Sequence, residues 1–173
     1  LSFLAKSEEL RSNGKQVLLN IQSQKGHRPK KQALEKWSGD AVDGLGFDGH
    51  PMVGQKKLSF QVCGVEHQIS LGSFYQTNPE VNELLVQKII DWTQEHQAKK
   101  VLDLYCGAGN IGCAIAKKGI PVIGIESSSS SVQDGKATIK RHQLEMEIRK
   151  ADADKFQAGD AYFDLAVLDP PRK

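Results

Sequence analysis

Val101-Leu102-Asp103-Leu104-Tyr105-Cys106-Gly107-Ala108-Gly109-Asn110-Ile111-Gly112 is the stretch whose reading decides the fold. Val101, Leu102 and Leu104, bounded by Lys100 and Gly107, have the pattern of a short buried strand running into a glycine turn. Ile111, Ala114 and Ile115 then recur at helical spacing, and Gly119 with Pro121 closes the segment. A strand, a glycine loop and a helix in this order present backbone N–H groups to a ligand, and the glycines allow close approach to the chain.

The spacing Gly107-x-Gly109-x-x-Gly112 also fits a dinucleotide fingerprint, so the glycines alone leave the ligand open. Two carboxylates narrow it. Glu126 ends the next apolar run, Val122 to Glu126, where it can accept both hydroxyls of a ribose lying across the strand ends. Asp103 lies inside the strand before the loop. An acid there repels a pyrophosphate, whereas S-adenosylmethionine carries a sulfonium and an ammonium. The plain alternative for Asp103 is a strand-end acid satisfied by loop N–H groups.

The 173 residues are 39% hydrophobic and 25% charged, with a formal net charge of +2. This composition suits a soluble domain with an appendage, and so small a net charge does not by itself argue for nucleic acid. No apolar run approaches the roughly 18 residues that span a bilayer, and no secretory pattern opens the chain, so a cytoplasmic setting without membrane contact is expected. Cys63, Cys106 and Cys113 show no Cys-x-x-Cys spacing. They are read as reduced thiols, with neither a disulfide framework nor a metal site.

In chain order, the charges and leucines of Leu1 to Asn13 before Gly14 predict a helix with a glycine cap, and Gln16 to Gln22 a strand. Lys25 to Lys31 holds four Lys/Arg in seven residues, a cluster able to meet phosphates but without interleaved aromatics to stack on bases. A short helix is expected over Gln32 to Trp37 and a glycine-punctured strand over Ala41 to Phe47. Asp48 to Pro51 reads as a turn-rich separator before a hairpin, Leu58 to Val62 and His67 to Leu71, with its turn at Cys63 to Glu66. Asn78-Pro79 starts a helix running to about His96, with Val81, Leu85, Ile89 and Trp92 as its apolar stripe. Strands at Val101–Leu104, Val122–Ile125, Glu147–Lys150 and Leu165–Leu168, with a helix over Ser127 to Gln143, imply a parallel doubly wound sheet. Its ligand should lie at the carboxyl ends of the strands, where Asp103, Tyr105, Glu126, Asp152 and Asp169 fall.

Three motifs, Phe74-Tyr-Gln-Thr-Asn78, Asp103-Leu-Tyr-Cys-Gly107 and Asp169-Pro-Pro-Arg172, occur together in one order and spacing. In them the chain resembles the RNA uracil-5-methyltransferases, over about residues 16 to 173, with Phe74 to Pro79 leaning toward the 23S ribosomal branch. The resemblance implies an α/β fold. Residues 1–72 would form a small α+β region, and residues 73–173 the N-terminal part of a Rossmann-like, S-adenosylmethionine-dependent methyltransferase domain. It implies ribosomal or transfer RNA as partner and S-adenosylmethionine as cofactor. Gln76, Tyr105, Glu126 and Asp169 match the family's cofactor positions, Asn110 and Asp152 match more weakly, and the cofactor would cross the strand ends near Gly107. By chemistry, Glu126 suits the ribose, Asp152 the adenine amine, and the Tyr105 ring packing against the ligand.

Uracil C5 is a poor nucleophile, and the family adds a cysteine thiolate to C6 before C5 takes the methyl group and a base removes its proton. In the family both groups lie beyond the point matching Lys173, so no catalytic residue is assigned here. The segment alone is expected to be inactive, and an uncovered sheet edge is expected to favour self-association. Cys106 belongs to the glycine loop and reads as a packed residue. Three alternatives remain: a methyltransferase acting on an exocyclic amine through Asp169-Pro170-Pro171, a dinucleotide-binding module, and an RNA-binding remnant without catalysis. Arg172, where the amine enzymes usually place an aromatic residue, counts against the first.

Overall fold

The computed structural model describes residues 5–12, 16–23, 30, 32, 34, 42–76 and 78–171. Four strands, β1 (Ala5–Ser12), β2 (Val17–Ser23), β3 (Gly44–Phe47) and β4 (His50–Gly54), form one sheet in that order, with β2 and β3 parallel and the outer pairs antiparallel. β1 replaces the helix expected at the N-terminus. Leu10 pairs with Leu19 and Ser12 with Val17, so tertiary pairing with β2 overrides the weak local helical pattern. The expected cap Gly14 lies outside the described residues. So does most of the Gln32 to Trp37 segment, of which Gln32 and Leu34 are helical.

β4 was not expected, because His50-Pro51 reads as punctuation. Instead Asp48 and Gly49, both at positive φ (51° and 76°), make a two-residue turn that folds β4 back on β3. Pro51 is tolerated because β4 is the sheet's edge. The next hairpin, β5 (Lys57–Val62) and β6 (Val65–Ser70), has a tighter turn than expected. Cys63 and Gly64, at φ 44° and 77°, suffice. Val62 and Val65 are fully buried in the same cluster as Val101, Ile115 and Val122.

Helix α1 (Pro79–Glu95) begins where expected, the Asn78 side chain accepting from Val81 N at 3.0 Å. Its buried face is not the expected one. Asn82, Val86, Ile90 and Thr93 point inward; of the expected stripe, Val81, Leu85 and Trp92 are exposed and only Ile89 packs, partly buried, against the core. Both sets recur at helical spacing, and periodicity alone cannot decide which faces the core. The choice follows from what packs alongside: β5 and the following helix.

Strands β7 (Val101–Leu104), β8 (Val122–Glu126), β9 (Met146–Lys150) and β10 (Leu165–Leu168) make a parallel sheet in the order β10-β7-β8-β9. Val101 is level with Leu165 and Val122, and Val122 with Met146. Helix α2 (Asn110–Ala116) links β7 to β8. Helix α3 (Ser129–His142), capped by Ser128 and ended by Gln143 at φ 51°, links β8 to β9. After β9 the chain returns past β7 to β10, so strand order reverses at β7. Ligands of open α/β sheets lie at such a reversal. Among the described residues no helix is long and apolar enough to cross a membrane.

Candidate functional site

The loop after β7 is built by two buried constraints. Gly109 has φ 82°, and a Cβ there would lie 2.7 Å from Cys113 Sγ. At Gly112 a Cβ would lie 2.6 Å from Met146 Cε and 2.8 Å from Asp103 Oδ2. Glycine is therefore demanded by conformation at the first position and by packing at the second.

Two strand carboxylates occupy N–H groups that this loop offers. Gly112 N donates to Asp103 Oδ2 at 2.9 Å, and Gly107 N to Glu126 Oε2 at 2.9 Å. Glu126 Oε1 also accepts from Ser128 N at 2.6 Å. The plain reading of Asp103 thus holds in part: it is satisfied by a loop N–H. It also borders a cleft. Burial pushes its carboxyl up to about 7, against the Gly112 N–H bond and with the help of nearby Asp169 and Glu126. A loop whose N–H groups already face carboxylates is a poor phosphate cradle, which disfavours a pyrophosphate.

The cleft at the ends of β7 and β10 brings together five of the seven sequence-predicted positions: Gln76, Tyr105, Gly107, Asn110 and Asp169. Glu126 adjoins it through Gly107. Asp152 is not among the lining residues; its carboxylate caps the turn Ala153–Lys155, accepting from Asp154 N at 3.1 Å and facing Lys155 Nζ at 3.3 Å. Tyr105, at φ 60°, donates its hydroxyl to Asp154, so a side chain from the end of β7 reaches past the end of β8 to the loop after β9. This contact ties the turn that holds Asp152 to Tyr105, which lines the cleft.

Phe74, Tyr75, Asp103, Cys106, Ala108 and Ile111 complete the lining. Phe74 is 66% exposed at the cleft. The Tyr75 ring stacks on Phe60 at 4.2 Å between centroids. Asn82, which sequence reasoning missed, exchanges two hydrogen bonds with Asn110 at 2.9 and 2.8 Å and fixes that amide from behind. No signal along the chain marks it, because Asn82 lies in the first turn of α1 on a face buried only by what packs alongside. Cys106 is buried, and burial foremost raises its thiol far above the ordinary range. Burial likewise raises Cys113, and burial followed by Glu83 raises Cys63. None of the three is activated as a nucleophile. Among the described residues no group of three His, Cys, Asp or Glu could hold a metal ion. Of the basic stretch Lys25 to Lys31, only Lys30 lies among the described residues, and it is exposed.

The model of the methyltransferase small domain family matches residues 80–173. An uncharacterised RNA methyltransferase of Listeria monocytogenes is 35% identical over 126 residues, 69% of this chain and 28% of that protein. A 23S rRNA (uracil(1939)-C(5))-methyltransferase RlmD of Shewanella amazonensis is 32% identical over 117 residues, 65% of this chain and 26% of that one. The chain thus spans about a quarter of the length of these relatives. Among solved structures, the tRNA (uracil-54, C5)-methyltransferase of Pyrococcus abyssi, in complex with S-adenosyl-L-homocysteine, superposes with a TM-score of 0.73 at 21% identity. The match covers 95% of this chain and 42% of that one. The resemblance drawn from the three motifs is borne out, and the Rossmann-like methyltransferase fold with it.

Proposed function

The chain belongs to the methyltransferase small domain family, and from that premise we propose that it supplies the cofactor site of an S-adenosylmethionine-dependent enzyme methylating C5 of a uridine in RNA, 23S ribosomal RNA foremost. The observation that carries the reading is the meeting of Gln76, Tyr105, Asn110 and Asp169 with the buried Asp103 in one cleft. The donor set fits the cofactor. Two carboxylates, Asp103 and Asp169, complement a sulfonium and an ammonium, and the cleft holds amides for the amino-acid portion. Glu126, already oriented by Gly107 and Ser128, would take the ribose, and Asp152 the adenine amine.

The bound cofactor supplies an electrophilic methyl group. This chain's residues would bind and orient it: the carboxylates complement its positive charge, Asn82 holds Asn110, and the Tyr105 contact with Asp154 flanks the end of β8. None of the three thiols is assigned as the C6 nucleophile, since each is raised rather than lowered. The RNA names of the curated relatives and the cationic run Lys25 to Lys31 support an RNA substrate.

Calorimetry of the chain with S-adenosylhomocysteine and, separately, with NADH tests the cofactor reading. Binding of the first alone is expected. Binding of NADH in its place would leave the fold standing and end the functional reading.

A further inference from the structure

Asp134, near the middle of α3, is 2% exposed and is not among the residues that line the cleft. Its Oδ2 accepts from Ser70 N at 2.8 Å, Ser70 Oγ at 2.7 Å and Ser73 Oγ at 2.6 Å. Its Oδ1 accepts from Lys57 Nζ at 2.6 Å. Three donors thus converge on Oδ2 and one on Oδ1, so both oxygens of the buried carboxylate are bonded. Burial alone would raise the carboxyl, but the bonds from Lys57, Ser73 and Ser70 outweigh it and hold the group below its usual range.

Three of the four donors sit where β6 ends and the chain turns toward the cleft. Ser73 N closes that turn on Ser70 O at 3.0 Å, and the next three residues, Phe74, Tyr75 and Gln76, form a wall of the cleft. A second tie lies beside the first. Ser130 Oγ donates to Gly72 O at 2.7 Å and shares a hydrogen bond with Ser128 Oγ at 3.0 Å. Ser128 N reaches Glu126, which holds Gly107. The first half of α3 therefore grips the upstream wall at residues 70–73 and, through Glu126, the glycine loop facing it.

We propose that Asp134 is a positioning residue for the cofactor site: through Ser73 it fixes the Phe74–Gln76 wall against the glycine loop, so that cofactor affinity depends on a side chain the cofactor does not touch. The proposal rests on the cofactor reading of the cleft. It differs from a purely stabilising role in where the loss appears. Lys57 shares the same carboxylate yet lies outside the wall, so its removal should lower stability and spare affinity.

The test measures S-adenosylhomocysteine affinity by calorimetry, with thermal unfolding by circular dichroism, on the 173-residue chain. Asp134→Asn and Ser73→Ala should each weaken binding by about tenfold, the scale of losing a hydrogen bond to a charged group. Lys57→Met should lower the Tm and keep affinity within about twofold. Ser73→Ala combined with Gln76→Ala should bind no more weakly than Gln76→Ala alone, again within about twofold. If Asp134→Asn fails to fold, Ser73→Ala decides. A folded Ser73→Ala chain that binds like the wild type, or losses at Ser73 and Gln76 that add, would overturn the positioning role while the cofactor reading survives. A folded wild-type chain that does not bind S-adenosylhomocysteine would overturn both.

Discussion

Gly112 donates its backbone N–H to Asp103 Oδ2 across 2.9 Å, and the Cβ it lacks would stand 2.8 Å from the same oxygen. The two residues therefore require each other: the buried carboxylate needs the donor, and the donor must be glycine for the carboxylate to fit. Gly112→Ala should displace Asp103 and destabilise the chain by about 1–3 kcal/mol, the usual cost of overpacking. Urea unfolding that returns the wild-type midpoint would contradict this account of the loop.

Asp103 and His67 should give opposite pH dependences. Burial raises the Asp103 carboxyl from 3.8 to about 7, so its contribution to stability is fully present below pH 3.8 and lost as pH rises through 7. His67 is lowered from 6.5 to about 4, by burial first and then by His142 and Arg141. Its contribution is present above pH 6.5 and lost as pH falls through 4. The two slopes oppose each other between pH 4 and 6.5. In Asp103→Asn, stability should rise with pH over that window. In His67→Gln it should fall, and parallel profiles for the two variants would refute the assignment.

Glu126 accepts from Gly107 N and Ser128 N, so it both shapes the loop and, under the cofactor reading, meets the ribose. Glu126→Ala should weaken S-adenosylhomocysteine binding by about 1–3 kcal/mol, the worth of hydrogen bonds to a charged group. Unchanged affinity by calorimetry would remove Glu126 from the site.

On α1, Val86 and Ile90 are buried while Leu84 is 72% exposed. Val86→Ala and Ile90→Ala should each cost roughly 1–4 kcal/mol, and Leu84→Ala no more than about 0.5. The reverse ranking in thermal unfolding would contradict this buried face.

With all three thiols raised, the chain should not methylate uracil C5 unaided. A tritium-methyl transfer assay on unmodified RNA should show no incorporation. Incorporation that disappears in Cys106→Ala would make Cys106 the nucleophile after all.

Much of the parallel sheet and several of its edges were legible along the chain, because the information is local. Asn78-Pro79 carries its own cap and start, the apolar runs Val101–Leu104 and Val122–Glu126 mark buried strands, and Gly107-x-Gly109-x-x-Gly112 marks the turn between strand and helix. Gln76 was legible only by resemblance, since nothing in its neighbours shows that it joins residues about thirty and ninety positions downstream.

What the sequence by itself determined was which segments are strands and helices of the methyltransferase sheet, and that carboxylates stand at their ends; hydrophobic period, glycine and cap residues are properties of a few consecutive positions. Tertiary structure alone decided which of two periodic faces α1 buries, that residues Ala5–Ser12 form a strand, and that Asp134 and Asn82 stand behind the site. The reason is physical. A helix face is buried by what packs against it, a strand by the edge it pairs with, and a buried polar group by donors from elements far away in the chain. The pairs Asp134 with Ser73 and Asn82 with Asn110 exist only once α3 lies on β6 and α1 on α2.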